Sequence, residues 1–207
     1  MPAFSQSDVR NKMTTKLSSV SSEDLMLRIA EGDEYAFEVL VGRHQPSVLN
    51  LVYRYVGDRA EAKDLAQEVF VRVWQAAKSY QPKAKFSTWI YRIAVNLCLN
   101  ELKSVKGKKL VRREAAEEER QGASCGTRGD ISPSPEDRLL AEERSRQISE
   151  ALQGLPENQR MALILRRYDN LSYQEIARIM GCSVSAVESL LVRAKRNVQE
   201  KLILSER

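Results

Sequence analysis

Four side chains between residues 92 and 103 recur at helical spacing and carry nucleic-acid chemistry. Arg92, Asn96, Asn100 and Lys103 fall at i, i+4, i+8 and i+11, on one stripe of a helix. Cations hold phosphates, and side-chain amides pair with adenine edges. Tyr80, Phe86, Trp89 and Tyr91 lie beside that stripe. Aromatics interleaved with cations suit unstacked, single-stranded bases. By itself Trp89, at its helical phase, is more often a core residue. From Lys83 to Arg113 nine basic residues stand against one acid, Glu101, a net of +8 that leaves the rest of the chain at −3. Positive charge concentrated in this way favours a nucleic-acid face over a solvated run.

A second constellation lies near the C-terminus. Ser172 and Glu175 form an S-x-x-E capping box. Ile176, Ala177 and Met180 then give one apolar face, and Gly181 sits where a left-handed turn is cheapest for glycine. Ser183 or Ser185 caps a following helix that packs back through Val187, Leu190 and Leu191. Ser183, Ser185, Glu188, Ser189, Val192, Arg193 and Arg196 are left for the outer surface. That is a helix-turn-helix whose second helix suits a DNA major groove.

A third pattern is acidic. Asp58, just before the helical segment Arg59 to Ala77, and Glu61, Asp64 and Glu68 within it follow one another, with Gln67 and Arg72 near them. Acid at a helix start complements the dipole, so part of the ridge is structural. Four carboxylates on a net basic chain would equally dock a basic partner. The buried side of this helix takes Ala62, Leu65, Ala66, Val69, Val73 and either Phe70 or Trp74.

These stripes require helices to carry them, and composition supplies them. The chain has 207 residues, a net charge of +5 and only 6% aromatics. It should be all-α, with two small helical domains joined by a flexible linker. Residues 1–21 are polar and aperiodic, a disordered tail. Residues 22–104 form the first domain, 105–136 a linker rich in charge, Gly, Ser and Pro, and 137–204 the second domain. In the first domain Gly32 and Asp33 end the opening helix, and Pro46 fits near the start of a third. Ser87 or Thr88 should cap the helix bearing Arg92, whose inward residues are Trp89, Ile90, Ile93, Ala94, Leu97 and Leu102.

Several chemistries are excluded. Cys98, Cys125 and Cys182 are isolated, and the single histidine, His44, has no cysteine near it, which argues against a metal site or any cofactor. Free thiols suit a reducing cytoplasm. There is no apolar run long enough to span a membrane and no signal-type h-region. Paired carboxylates and a phosphate-binding glycine loop are lacking, so the chain reads as no enzyme.

Two blocks carry a family resemblance. Asp58 to Trp74, DxxEAxDLxQEVFxRVW, followed by FSTWIYRIAVNLCLNEL, Phe86 to Leu102, resembles region 2 of bacterial extracytoplasmic-function RNA polymerase sigma factors. Leu155 to Lys195 resembles their region 4. The resemblance implies a non-catalytic, dissociable initiation subunit that takes core RNA polymerase to promoters with distinct −10 and −35 elements. Its implied partners are the clamp of the largest polymerase subunit, promoter DNA and an anti-sigma factor, the last a means of holding a cytoplasmic protein at a membrane. Asp64, Leu65, Gln67, Glu68 and Phe70 match the clamp-docking motif. Tyr80, Lys83, Lys85, Phe86, Trp89, Arg92, Asn96, Asn100 and Lys103 fall in the part that recognises and melts the −10 element, where the family flips a base into a loop pocket. Ser183, Ser185, Glu188, Ser189, Val192, Arg193 and Arg196 match the −35 reader. At 188, glutamate would accept from a cytosine amine, where many relatives have arginine. The alternative from another class is a stand-alone helix-turn-helix regulator, with residues 22–104 as its dimer or effector module.

Overall fold

The computed structural model describes residues 17–112 and 146–205, with side chains over 17–101 and 146–201. Among the described residues every regular element is helical. Short polar side chains start most of the helices. Ser21 accepts from the Asp24 amide and opens α1, Ser22–Ala30. Asp33 accepts from Ala36 and opens α2, Glu34–Val56. Asp58 accepts from Glu61 (2.8 Å) and opens α3, Arg59–Ala76. Each cap satisfies one of the donors that a helix start leaves without a partner. A 3₁₀ turn, Ala77–Ser79, leads to α4, Phe86–Arg112. Residues 146–153 form α5. Then come α6, Glu157–Arg167; α7, Tyr173–Met180; and α8, Val184–Ser205.

Three sequence expectations are revised. Pro46 lies inside the continuous α2 and starts nothing. It forfeits one backbone bond, but Leu40, Val48, Leu51, Val52 and Tyr55 bury along one side straight through it. Residues 105–112, read as the start of the linker, continue α4. Leucine, lysine and arginine are good helix formers. Residues 17–21, read as the end of a disordered tail, are packed: Leu17 is buried and the Ser18 carbonyl accepts from Arg43. Residues 1–16 and 113–145, including Cys125, lie outside the described residues.

The first four helices pack α1 on α2, α2 on α3 and α3 on α4. In the second half α6 and α7 both pack on α8. The halves also pack on each other, α4 against α7 and α2 against α6. One contiguous core runs from Leu25, Leu51 and Val69 through Ile90 and Val95 to Met161, Ile176 and Val187. A small satellite of Leu152, Leu155 and Ala194 closes the far end.

Candidate nucleic-acid and partner interfaces

The helix-turn-helix forms as its residues dictate. Ser172 and Glu175 make the reciprocal box, which holds the Glu175 carboxyl below its ordinary pKa through the Ser172 backbone and hydroxyl bonds. Gly181 adopts φ +66°, the left-handed cap, and the Ala177 carbonyl receives its amide. Ile179 is fully buried on α7, whereas Met180 is only partly so. The cap of α8 is Ser183, which accepts from Ala186 and shares a 3.0 Å contact with the Ser185 hydroxyl. Ser183, Ser185, Glu188, Ser189, Val192, Arg193 and Arg196 are all exposed. Val192, at 70% exposure, is an apolar spot among polar groups, the type of contact a thymine methyl accepts. Arg193 donates back to the Ser189 carbonyl, and Arg196 stands 3.8 Å from Glu200, both in solvent.

The second surface is built on α4. Arg92, Asn96 and Asn100 are exposed, and the Lys103 side chain lies outside the described residues. Ile90, Ala94 and Leu97 are buried as expected, but so are Val95 and Cys98. Those two continue the stripe of Thr88 and Tyr91. Tyr91 does not join the aromatic group; its hydroxyl donates to Asp169 across the halves (3.1 Å). Its own pKa rises to about 12, chiefly through burial and then through Asp169.

The aromatic nest is Tyr80, Phe86, Trp89 and His44. Ring centroids lie 5.0 Å apart for Tyr80–Trp89, 5.6 Å for Phe86–Trp89 and 4.8 Å for His44–Phe86. Phe86 is 1% exposed, so it is the floor of the nest and not a DNA contact. Tyr80 and Trp89 are half-buried around it, and Lys83 and Lys85 are exposed on the loop. The first amide of α4 is held by neither Ser87 nor Thr88. Phe86 N–H donates to the Glu23 carboxylate of α1 (2.7 Å). His44, 2.8 Å from the Ser22 hydroxyl, is held below its ordinary pKa mainly by burial and then by Arg43. These supports went unread because their partners are distant in sequence.

The third surface is α3. The acidic ridge divides: Asp58 is spent as the cap, Glu68 pairs with Arg72 (2.8 Å), and Asp64 and Gln67 are exposed. Leu65 and Phe70 are buried at 8% and 6%, so they hold the helix in the core rather than offer contacts. Phe70 takes the inward place and Trp74, 41% exposed, packs edge-on against Phe37 (4.9 Å).

A cleft of about 320 Å³ lies where the halves meet, lined by Lys83, Lys85 and Thr88 on one side and Ser172, Gln174, Glu175 and Arg178 on the other. Among the described residues, no group of three or more His, Cys, Asp or Glu could hold a metal ion. No described helix is long and apolar enough to cross a membrane. Burial and the nearby Glu61 push the Cys98 thiol up to about 12, which leaves little reactive thiolate.

Residues 40–107 match the Sigma-70 region 2 family and residues 145–198 match Sigma-70, region 4. The chain is 33% identical over 183 residues to an ECF RNA polymerase sigma-E factor of Haemophilus influenzae, covering 88% of this chain and 96% of the relative. Against the sigma-E factor of Escherichia coli K12 identity is 37% over 183 residues, covering 88% and 95%. Against an RNA polymerase sigma-H factor of Pseudomonas aeruginosa it is 33% over 186 residues, covering 90% and 96%. In fold the chain is similar to CnrH solved with the cytosolic domain of CnrY, with a TM-score of 0.61 at 22% identity, covering 88% and 97%. It is also similar to the sigma factor RpoE solved with the anti-sigma factor NepR from Bartonella quintana, with a TM-score of 0.59 at 19% identity, covering 80% and 96%.

Proposed function

The chain belongs to the extracytoplasmic-function family of RNA polymerase sigma factors, and from that premise we propose how its three surfaces divide the work of initiation. It is an alternative sigma factor: a subunit that directs core RNA polymerase to specific promoters. In our reading it works in the cytoplasm and has no catalytic site of its own. The exposed row Ser185, Glu188, Ser189, Val192, Arg193 and Arg196 on α8 reads the −35 element in the major groove. Arg92, Asn96 and Asn100 on α4, with Lys83, Lys85, Tyr80 and Trp89, hold and open the −10 element. Phe86 supports that site from beneath. Asp64 and Gln67 on α3 face the polymerase clamp, and Glu68 joins them when its pairing with Arg72 is exchanged. An anti-sigma factor, the partner named for the solved RpoE relative, is the proposed regulator.

The observation that carries this reading is a division of charge. One chain sets a cationic and amide face on α4 and a hydroxyl, carboxylate and guanidinium face on α8 apart from the exposed Asp64 and Gln67 on α3. Two separate DNA-suited faces beside a third, mixed-charge surface suit a subunit that works between promoter and polymerase better than a lone DNA reader. The test is to add the purified chain to sigma-free core polymerase and map transcripts on genomic DNA. Discrete start sites that depend on the chain are expected. A footprint by the chain alone, with no new start sites, would replace this reading by the stand-alone regulator.

A further inference from the structure

The cleft of about 320 Å³ between α4 and α7 gathers cations from two distant stretches of chain. Lys83 and Lys85 come from the loop before α4, Thr88 from its first turn, and Gln174 and Arg178 from α7. The backbone beneath these side chains is fixed. The Lys85 carbonyl accepts from the Thr88 amide (3.0 Å), and the next residue, Phe86, is buried. Arg178 stands between Ala177 and Ile179, both buried in the core. Among the described residues, none of the three cations is held in an ion pair. Glu175, the carboxylate on the cleft, is already committed: its Oε2 accepts from the Ser172 amide (2.9 Å) and hydroxyl (2.7 Å). Three cations against one carboxylate leave the lining at +2.

We propose that this cleft is a binding site for a small diphosphate-bearing molecule, and that the bound ligand competes with promoter DNA for Lys83 and Lys85. The second clause rests on the reading that these two lysines hold the −10 element. Like charges brought together repel, and an anion among them removes that cost. A diphosphate supplies negative charge and acceptor oxygens for all three heads. Arginine meets phosphate oxygens through two parallel N–H bonds, and lysine meets them as a point charge. The Thr88 hydroxyl and the Gln174 amide stand beside them as neutral donors. The volume lies at the lower end of the roughly 300–1,000 Å³ of small-molecule sites, which favours a compact metabolite over a length of duplex.

Arg178 separates the two ligands. It belongs to neither exposed DNA-suited row, being on α7 and not on α4 or α8. It is exposed and makes no side-chain hydrogen bond among the described residues, so its replacement should not disturb the fold. Losing it should weaken a diphosphate about five-fold, the upper range for an exposed ion pair, and leave DNA binding unchanged. Lys85 serves both ligands, so its replacement should weaken both.

The test follows backbone amide shifts of the isotope-labelled full chain at about 0.1 M salt. The chain is titrated with pyrophosphate, with ADP and, at matched ionic strength, with sulfate. A fluorescent single-stranded DNA, titrated in parallel, reports on the lysines. Saturable shifts confined to the neighbourhood of Lys83–Thr88 and Ser172–Arg178 are expected with pyrophosphate and ADP, at lower concentration than with sulfate. Tighter binding of ADP would identify a diphosphate ester as the ligand, and tighter binding of pyrophosphate the inorganic ion. Arg178→Gln should weaken pyrophosphate about five-fold and spare the DNA, and pyrophosphate should displace the DNA from the unmodified chain. An equal response to sulfate and pyrophosphate would mean an adventitious ion only and overturn the proposal. So would pyrophosphate binding unaltered in Arg178→Gln. DNA binding that depends on Arg178 as strongly as pyrophosphate binding does would give the cleft to nucleic acid and overturn it too. Pyrophosphate binding lost in Arg178→Gln and Lys85→Gln, with DNA binding blind to Lys83→Gln and Lys85→Gln, would strike the −10 role of the lysines instead and leave the diphosphate site standing.

Discussion

The Glu23 carboxylate lies 2.7 Å from the Phe86 amide, so the helix that carries the cationic and amide stripe is capped by a residue 63 positions earlier in the chain. Through this bond α1 fixes the start of α4, and with it the loop of Tyr80 to Lys85. Glu23→Ala should cost about 1.5–3 kcal/mol of stability, the usual worth of a hydrogen bond to a charged group. Hydrogen exchange should quicken selectively at residues 84–90, with the second half unchanged. Equal exchange in both proteins would show that the cap is not holding the loop.

On α3 the exposed and buried members of the clamp motif should separate by phenotype. Asp64→Lys should weaken binding to core polymerase at unchanged thermal stability. Leu65→Ala and Phe70→Ala remove fully packed side chains and should cost about 2–5 kcal/mol each. Titration of labelled core polymerase, beside thermal melts, distinguishes the two classes. An Asp64→Lys protein with native affinity would remove α3 from the docking surface.

For α8 the expected signature is in salt dependence. Arg193→Ala and Arg196→Ala should each reduce the slope of log affinity against log salt by about one unit, with sequence preference retained. Glu188→Arg should change the preferred base. Selection on randomised −35 elements checks this, and an unaltered consensus would mean that Glu188 reads no base.

Replacing Asn96 and Asn100 by alanine should leave the closed duplex complex with polymerase intact and reduce permanganate-reactive thymines near the start site. Both side chains are exposed, so a stability loss is not expected. Normal opening in this variant would move the melting role to the Tyr80–Lys85 loop alone.

His44 gives a pH dependence with a defined sign. Its folded pKa lies below 6.5, mainly from burial and then from Arg43. The unfolded chain therefore takes up the proton first as pH falls. The stability from neutral His44 is present above 6.5 and is lost as pH drops through the lowered folded value. The melting temperature should fall on going from about pH 7 to about pH 5, and His44→Gln should flatten that fall. Identical pH profiles for both proteins would dismiss the histidine as the source.

Local chemistry was enough to place the helix-turn-helix. A capping box, a turn glycine and a 3.6-residue stripe each act within four residues, so Ser172, Gly181 and Val187 announce their roles without any partner. The exposed faces of α4 and α8 followed from the same periodicity, and so did the all-α class. Choices between equivalent positions were not legible there. Phe70 turned inward and Trp74 outward, Ser183 became the cap, and the acidic ridge split, with Asp58 as a cap, Glu68 in an ion pair and Asp64 exposed. Each of these depends on which neighbour arrives from another helix. Pro46 shows the same limit from the other side: its local cost argues for a helix start, and burial along the whole of α2 outweighs it. Burial of Phe86, Val95 and Cys98, the Glu23 cap and the Tyr91–Asp169 contact all join residues tens of positions apart. A one-dimensional pattern records which side of a helix is apolar or charged. Only the tertiary structure decided that α7 would cover part of α4 and that Arg160 of α6 would bond the Tyr55 carbonyl of α2, because such long-range pairings are set by total packing and not by spacing along the chain.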